Sequence, residues 1–188
     1  WWIREQARHI ERYLSTYSSP NTHLTGEALG LYYIGTCLPG LRESDRWRAT
    51  GRAILLDELD RHVKPDGVYF EQSTWYHRYT TDFYLHFLAM AERASLPVRA
   101  RVEPALNGPL DYLMWVTRPD GTMPLIGDDD GGRLLSLDGR TAHDTRPPLA
   151  PGAALFGRPD LAAIAGAPSV GPVRFLGPDG LRAFERIW

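Results

Sequence analysis

The tripeptide Pro-Asp-Gly occurs at residues 65–67, 119–121 and 178–180, and the stretches between its copies carry helical apolar spacing. The copies lie 54 and 59 residues apart, a span filled by two helices of four to five turns and their loops. Taken alone the tripeptide is only a common turn, so the stripes between the copies carry the argument. Ile3, Ala7, Ile10, Leu14 and Tyr17 follow steps of three and four until Ser18-Ser19-Pro20-Asn21 breaks the pattern. A second helix is predicted over Thr22 to Cys37, with Leu24, Ala28, Leu31, Tyr32 and Ile34 on its apolar face and Pro39-Gly40 ending it. A third starts at Ser44-Asp45, which offer capping chemistry, and buries Trp47, Ile54, Leu55 and Leu59.

After an extended stretch over 68–73, a fourth helix is expected from Thr74 to Ser95, rich in aromatics: Trp75, Tyr76, Tyr79, Phe83, Tyr84 and Phe87. A fifth spans Val102 to Thr117, with a bend at Pro109, which cannot donate a backbone hydrogen bond. From Asp138 to Pro151 the composition turns to Pro, Gly, Asp and Arg, a loop signal. The tail 170–188, with Val173, Phe175 and Leu176, reads as irregular or as a first strand. The pattern is that of an all-α array of stacked antiparallel helical hairpins.

Composition closes off several function classes. Of 188 residues 43% are hydrophobic, enough for a real core in one domain, or one domain plus part of another. With 21 Lys and Arg against 23 Asp and Glu, the net charge of -2 provides no basic field for nucleic acid or an anionic membrane. The single cysteine, Cys37, excludes an internal disulfide framework and a Cys-rich zinc site. No apolar run reaches the roughly 18 residues of a membrane helix. The chain opens at Trp1-Trp2 and closes at Arg186-Ile187-Trp188, so both ends read as cut and the lack of a targeting signal says nothing of compartment.

Polar residues crowd into three blocks. In Ser19–Glu27, Asn21 is placed to cap the second helix, and His23 and Glu27 share a face four residues apart. This is either a cap with a local His–Glu pair, or an amide and an imidazole at a helix N-terminus, where the dipole favours an anion. In Glu71–Tyr79, Ser73 or Thr74 can cap the fourth helix while Trp75 and Tyr79 join the core. Tyr76, His77 and Arg78 point in three directions and cannot all be buried on that reading. The third block, Ile126–Arg133, is acidic; it lacks the alternating ligands and distal Glu of an EF-hand calcium loop. A solvated acidic loop is the plainer reading. No Walker loop, dinucleotide glycine fingerprint or His-Glu-x-x-His helix occurs.

At these blocks the sequence resembles the heparinase II/III-like polysaccharide lyases, including their oligoalginate lyase relatives. The matching stretches are residues 19–31 (SPNTHLTGEALGL), Asp66-Gly67 through residues 71–77 (EQSTWYH), and residues 124–130 (PLIGDDD), so the likeness covers about residues 10 to 165. It implies an incomplete (α/α) toroid over 1–165, read as its central-to-C-terminal part, with 166–188 as linker or the start of a β-sandwich domain outside this chain. It also implies cleavage of uronate-containing polysaccharide by β-elimination. Tyr76 is then the Brønsted acid, in the family often also the base, and Asn21 or His23 neutralises the uronate carboxylate. The family frequently has Asn directly before His, whereas Thr22 intervenes here. Glu27, Gln72, Trp75, His77, Arg78, Asp128, Asp130 and Arg133 are the substrate-binding candidates. No cofactor or metal is expected in this chain; any metal site, and a further catalytic His or Tyr, would lie in the β-sandwich domain. The implied partners are an acidic polysaccharide, that domain, and a second copy covering open helix faces. Family habit implies a periplasmic or secreted location.

The chemistry has its own logic. Removing the proton α to a carboxylate builds a dianion, whose charge the site must neutralise as it forms. A phenol with an ordinary pKa of about 10 needs cationic neighbours to serve as a base at neutral pH. Two other readings use the same residues: a toroidal glycoside hydrolase pairing Glu27 or Glu71 with one of Asp128, Asp129 and Asp130, or a non-catalytic domain that binds acidic carbohydrate.

Overall fold

The computed structural model describes residues 1–17, 20–135, 139–141, 143–166 and 174–188. Among them lie eight α-helices: α1 (Trp2–Arg12), α2 (Thr22–Cys37), α3 (Ser44–His62), α4 (Thr74–Arg93), α5 (Arg99–Val116), α6 (Leu149–Phe156), α7 (Pro159–Ala165) and α8 (Gly177–Ile187). A short 3-10 turn, Arg174–Leu176, precedes α8. Within the described residues β pairing amounts to one antiparallel bridge, Val63 to Tyr69. The all-α expectation holds.

Helices α2 and α3 form a hairpin whose backbones touch. A methyl group on Gly51 would lie 2.4 Å from the Ala28 carbonyl oxygen, and one on Gly35 2.4 Å from that of Ser44. Residues 28–32 therefore face 51 while 35 faces 44–48, an antiparallel crossing in which only glycine fits. Gly51→Ala gains helix propensity of up to about 1 kcal/mol, but must force the helices apart, which costs about 1–3 kcal/mol or more in a packed core. A net loss of about 2 kcal/mol in a urea unfolding curve is expected. Unchanged stability would mean that the two helices are free to slide.

Helix α4 is the centre of the molecule. Phe83, Tyr84, Leu85, Phe87 and Leu88 are all buried, so the helix is covered all round, unlike a surface helix with one apolar stripe. Tyr32 of α2 meets Phe87 edge-on at 4.9 Å, and the Tyr84 hydroxyl donates to the Leu55 carbonyl at 3.0 Å. On the other side α5 packs against α4 and runs on through Pro104 and Pro109.

The first two Pro-Asp-Gly copies make the same turn. Gly67 N–H donates to Lys64 and Gly121 N–H to Arg118, both at 2.8 Å. Asp66 and Asp120 accept from the next amide, that of Val68 and Thr122 respectively. Gly67 and Gly121 have φ of +83° and +87°, a region open to glycine. The third copy instead starts α8. Proline in a first helical turn forfeits no hydrogen bond, and Leu181, Phe184 and Ile187 continue a helical stripe where Val68 and Tyr69 follow the first copy.

That is one of several departures from expectation. The first helix ends at Arg12, not Tyr17, because Ser15 turns away to donate its N–H and hydroxyl to Glu27, both at 2.7 Å. The fourth stops two residues short of Ser95, and the fifth begins at Arg99. The C-terminal part is helical: α6 begins in the last three residues of the stretch read as loop, Gly157 closes it in the left-handed region, Pro159 opens α7, and α8 occupies the tail. Phe175 stacks on His86 at 3.9 Å rather than joining a strand. Val173 lies outside the described residues. No helix among the described residues is long and apolar enough to cross a membrane.

Candidate active site

The first turn of α2, the first turns of α4 and the acidic loop before residue 133 meet around a hollow of about 500 Å³. Asn21, His23, Glu27, Tyr76, Asp128 and Asp130 line it, together with Thr22, Gly26, Glu71, Tyr79, Phe83 and Gly132. The amide and the phenol expected to act together therefore face one cavity, although 55 residues separate them.

Each is aimed by a helix cap. Asn21 Oδ1 accepts from the His23 backbone N–H at 3.0 Å and lies 2.9 Å from His23 Nδ1. With its oxygen committed to the helix, Asn21 presents its NH₂ as the remaining group. With Nδ1–H directed at Asn21, neutral His23 carries its lone pair on Nε2. Capping thus uses one end of the side chain and leaves the other for the hollow. The segment is pinned from beneath: Glu71 Oε1 accepts from Thr22 N–H at 2.8 Å and from its hydroxyl at 2.7 Å, and His62 Nε2 meets the Pro20 carbonyl at 3.0 Å.

On α4, Ser73 Oγ accepts from Tyr76 N–H at 3.1 Å and donates to the Asp128 carbonyl at 2.6 Å. Thr74 N–H donates to the Ile126 carbonyl and its hydroxyl to that of Pro124. Trp75 Nε1–H donates to the Gly132 carbonyl at 3.1 Å. These bonds hang the acidic loop from the helix start, with Asp130 Oδ2 3.5 Å from the Tyr76 hydroxyl. Desolvation, then the charges of Asp130, Asp128 and Glu71, raise the Tyr76 pKa above that of an ordinary phenol. Tyr76 therefore keeps its proton at neutral pH. Asp130→Asn removes one of those charges and should lower the pH at which Tyr76 ionises. The check is an ultraviolet titration of phenolate, with Tyr76→Phe protein subtracted. An unmoved curve would mean that the phenol does not feel the loop.

Five substrate-binding candidates lie elsewhere. Trp75 is buried, holding the loop. His77 is 2% exposed, with Nδ1 accepting from Tyr69 N–H and Nε2–H donating to the Pro109 carbonyl. Burial pushes its pKa down to about 4, so it is no cation for a sugar acid. Arg78, 1% exposed, stands 5.5 Å over the Trp75 ring and 3.6 Å from Asp82. Tyr76 escapes burial while both of its neighbours are packed away, because α4 is covered on every other face. Arg133 donates to the carbonyls of Arg140 and Thr141. Gln72 is exposed with φ of +56° and does not line the hollow.

The lining residues that sequence reasoning passed over had a readable signal. Tyr79 and Phe83 follow Tyr76 at three and seven residues, and Gly26 follows Thr22 at four, all helical same-face spacings. Among the described residues no three His, Cys, Asp or Glu side chains are grouped to hold a metal ion.

The family model described as "Heparinase II/III N-terminus" matches residues 1–135. A heparin-sulfate lyase of Pedobacter heparinus is 32% identical over 120 residues, 62% of this chain and 18% of that protein. The heparin-sulfate lyase of Bacteroides thetaiotaomicron is 29% identical over 133 residues, 66% of this chain and 19% of that one. The crystal structure of heparan sulfate lyase HepC from Pedobacter heparinus superposes with a TM-score of 0.62 at 22% identity, covering 86% of this chain and 24% of its own. The chain thus spans about a fifth of the curated relatives it matches. The matched span runs from α1 to the end of the acidic loop, so it contains every side chain that lines the hollow: the chain belongs to the heparinase II/III N-terminal family.

Proposed function

We propose that the protein carrying this chain is a polysaccharide lyase that cleaves a uronate-containing polysaccharide of the heparan type by β-elimination. In this reading the chain is the partial (α/α) toroid of a longer polypeptide, and a β-sandwich domain of the same protein covers the hollow. The observation that carries it is the shared hollow of Asn21, His23 and Tyr76. The polymer class rests on the heparin-sulfate lyases among the relatives.

The Asn21 NH₂ meets the uronate carboxylate, holding charge that grows as the α-proton leaves. His23 Nε2, whose lone pair follows from the contact of Nδ1 with Asn21, takes that proton. The C–H electrons form the new double bond, the bond to the glycosidic oxygen breaks, and Tyr76 protonates the departing oxygen. The acidic surroundings of Tyr76 suit an acid and oppose a phenolate base, so acid and base fall to different residues. No step needs a metal.

A carboxylate-pair hydrolase is less well supported. Glu27 and Glu71 each accept hydrogen bonds from a backbone N–H and a hydroxyl, which ties both carboxylates to the fold. The deciding experiment treats heparan sulfate with the full-length protein and follows ultraviolet absorbance. Elimination leaves an unsaturated, absorbing uronate end. Reducing ends that appear without absorbance would establish hydrolysis, and binding without either would leave a carbohydrate-binding domain. Export is read directly from where the native protein fractionates; a periplasmic or secreted site is expected.

A further inference from the structure

The hollow at Tyr76 has a charge problem. Glu27, Glu71, Asp128 and Asp130 line it, with His23 as the sole basic side chain among its lining residues. An anionic polymer gains little from such a wall beyond the sugar held at Asn21, so cations close by would add attraction.

A second, open hollow of about 650 Å³ lies along α1 and α3. Arg8 and Arg12 are one helical turn apart and both line it, as do His9 and Tyr13, whose rings meet at 4.8 Å. Two carboxylates also line it. Glu11 is taken up by the Arg46 fork at 2.6 and 2.8 Å and by Trp47 Nε1 at 3.0 Å. Glu5 meets Arg8 at 3.6 Å, an exposed pair of little strength. Arg12 forms no ion pair among the described residues; its guanidinium lies 5.6 Å over the Tyr13 ring. The site thus offers two cations and an aromatic face, the chemistry that grips an anionic sugar.

The two hollows are neighbours along the chain. Ser15 binds Glu27 of the first, and Tyr13 of the second is two residues away, at most about 7 Å along the backbone. We propose that the α1 hollow is an accessory subsite for an anionic sugar unit further along the same polysaccharide strand. It lends the attraction that the acidic wall at Tyr76 withholds. The idea rests on the polysaccharide reading, but its test needs no turnover.

Calorimetry in the full-length Tyr76→Phe protein would compare heparan sulfate decasaccharide with disaccharide, before and after Arg8→Ala with Arg12→Ala. The decasaccharide Kd should rise about tenfold, while that of the disaccharide, whose single uronate occupies one hollow, stays put. The pair Arg8→Lys with Arg12→Lys should keep most of the affinity, which separates lost charge from a disturbed helix. An unchanged decasaccharide Kd, equal weakening of both lengths, or equal weakening by the lysine pair would each overturn the subsite. Failure of the lyase reading shows separately, as absent absorbance with wild-type protein.

Discussion

Tyr76→Phe should lower elimination by a factor of about 10³, within the range for loss of a general acid, without a loss of stability. The hydroxyl sits at the rim of the hollow with a single long contact, 3.5 Å to Asp130, so its removal leaves no buried group unpaired. The ring keeps its packing, and the cap on Tyr76 is a backbone bond to Ser73 that phenylalanine retains. Turnover on heparan sulfate beside a thermal melt is the check. A variant with wild-type turnover means that another group protonates the leaving oxygen; a variant that melts early means that the hydroxyl was structural.

Asn21→Asp makes a sharper separation. Aspartate caps a helix about as well as asparagine, so the bond to His23 N–H survives and stability should change by less than about 0.5 kcal/mol. The outward NH₂, however, becomes a carboxylate oxygen facing the uronate. A donor that neutralised charge is replaced by a like charge, and kcat/KM should fall by a factor of about 10² to 10³, the cost of one transition-state donor. Asn21→Ala, by contrast, should lose both activity and about 1 kcal/mol of stability. If Asn21→Asp is fully active, the amide has only its capping role.

The residues that were legible in the sequence were those whose local pattern and chemistry agree. Asn21 and Ser73 each precede a helical stripe, and a cap in that position turns the next few side chains toward one end of the hairpin. The convergence of Asn21 with Tyr76 follows from two neighbouring helices that start on the same side. The burial of Trp75, His77 and Arg78 was not legible, because the fate of a polar side chain on α4 is decided by α5 and the loop near Gly132, which no local period encodes. The helical spacing of Leu181, Phe184 and Ile187 in α8 is plain, but Pro178-Asp179-Gly180 reads as a turn until the preceding residues leave the proline free to open a helix.

The acidic loop has one property with a wider consequence. Ser73, Thr74 and Trp75 hold it through its main chain, at Pro124, Ile126, Asp128 and Gly132. Within it Asp129 and Asp130 accept from the N–H groups of Gly131 and Gly132, bonds that an asparagine oxygen can also accept. Exchange of aspartate for asparagine can therefore change the charge of one wall of the hollow without moving the wall itself, so diversification toward differently charged glycans has a route that leaves the phenol and the amide where they stand.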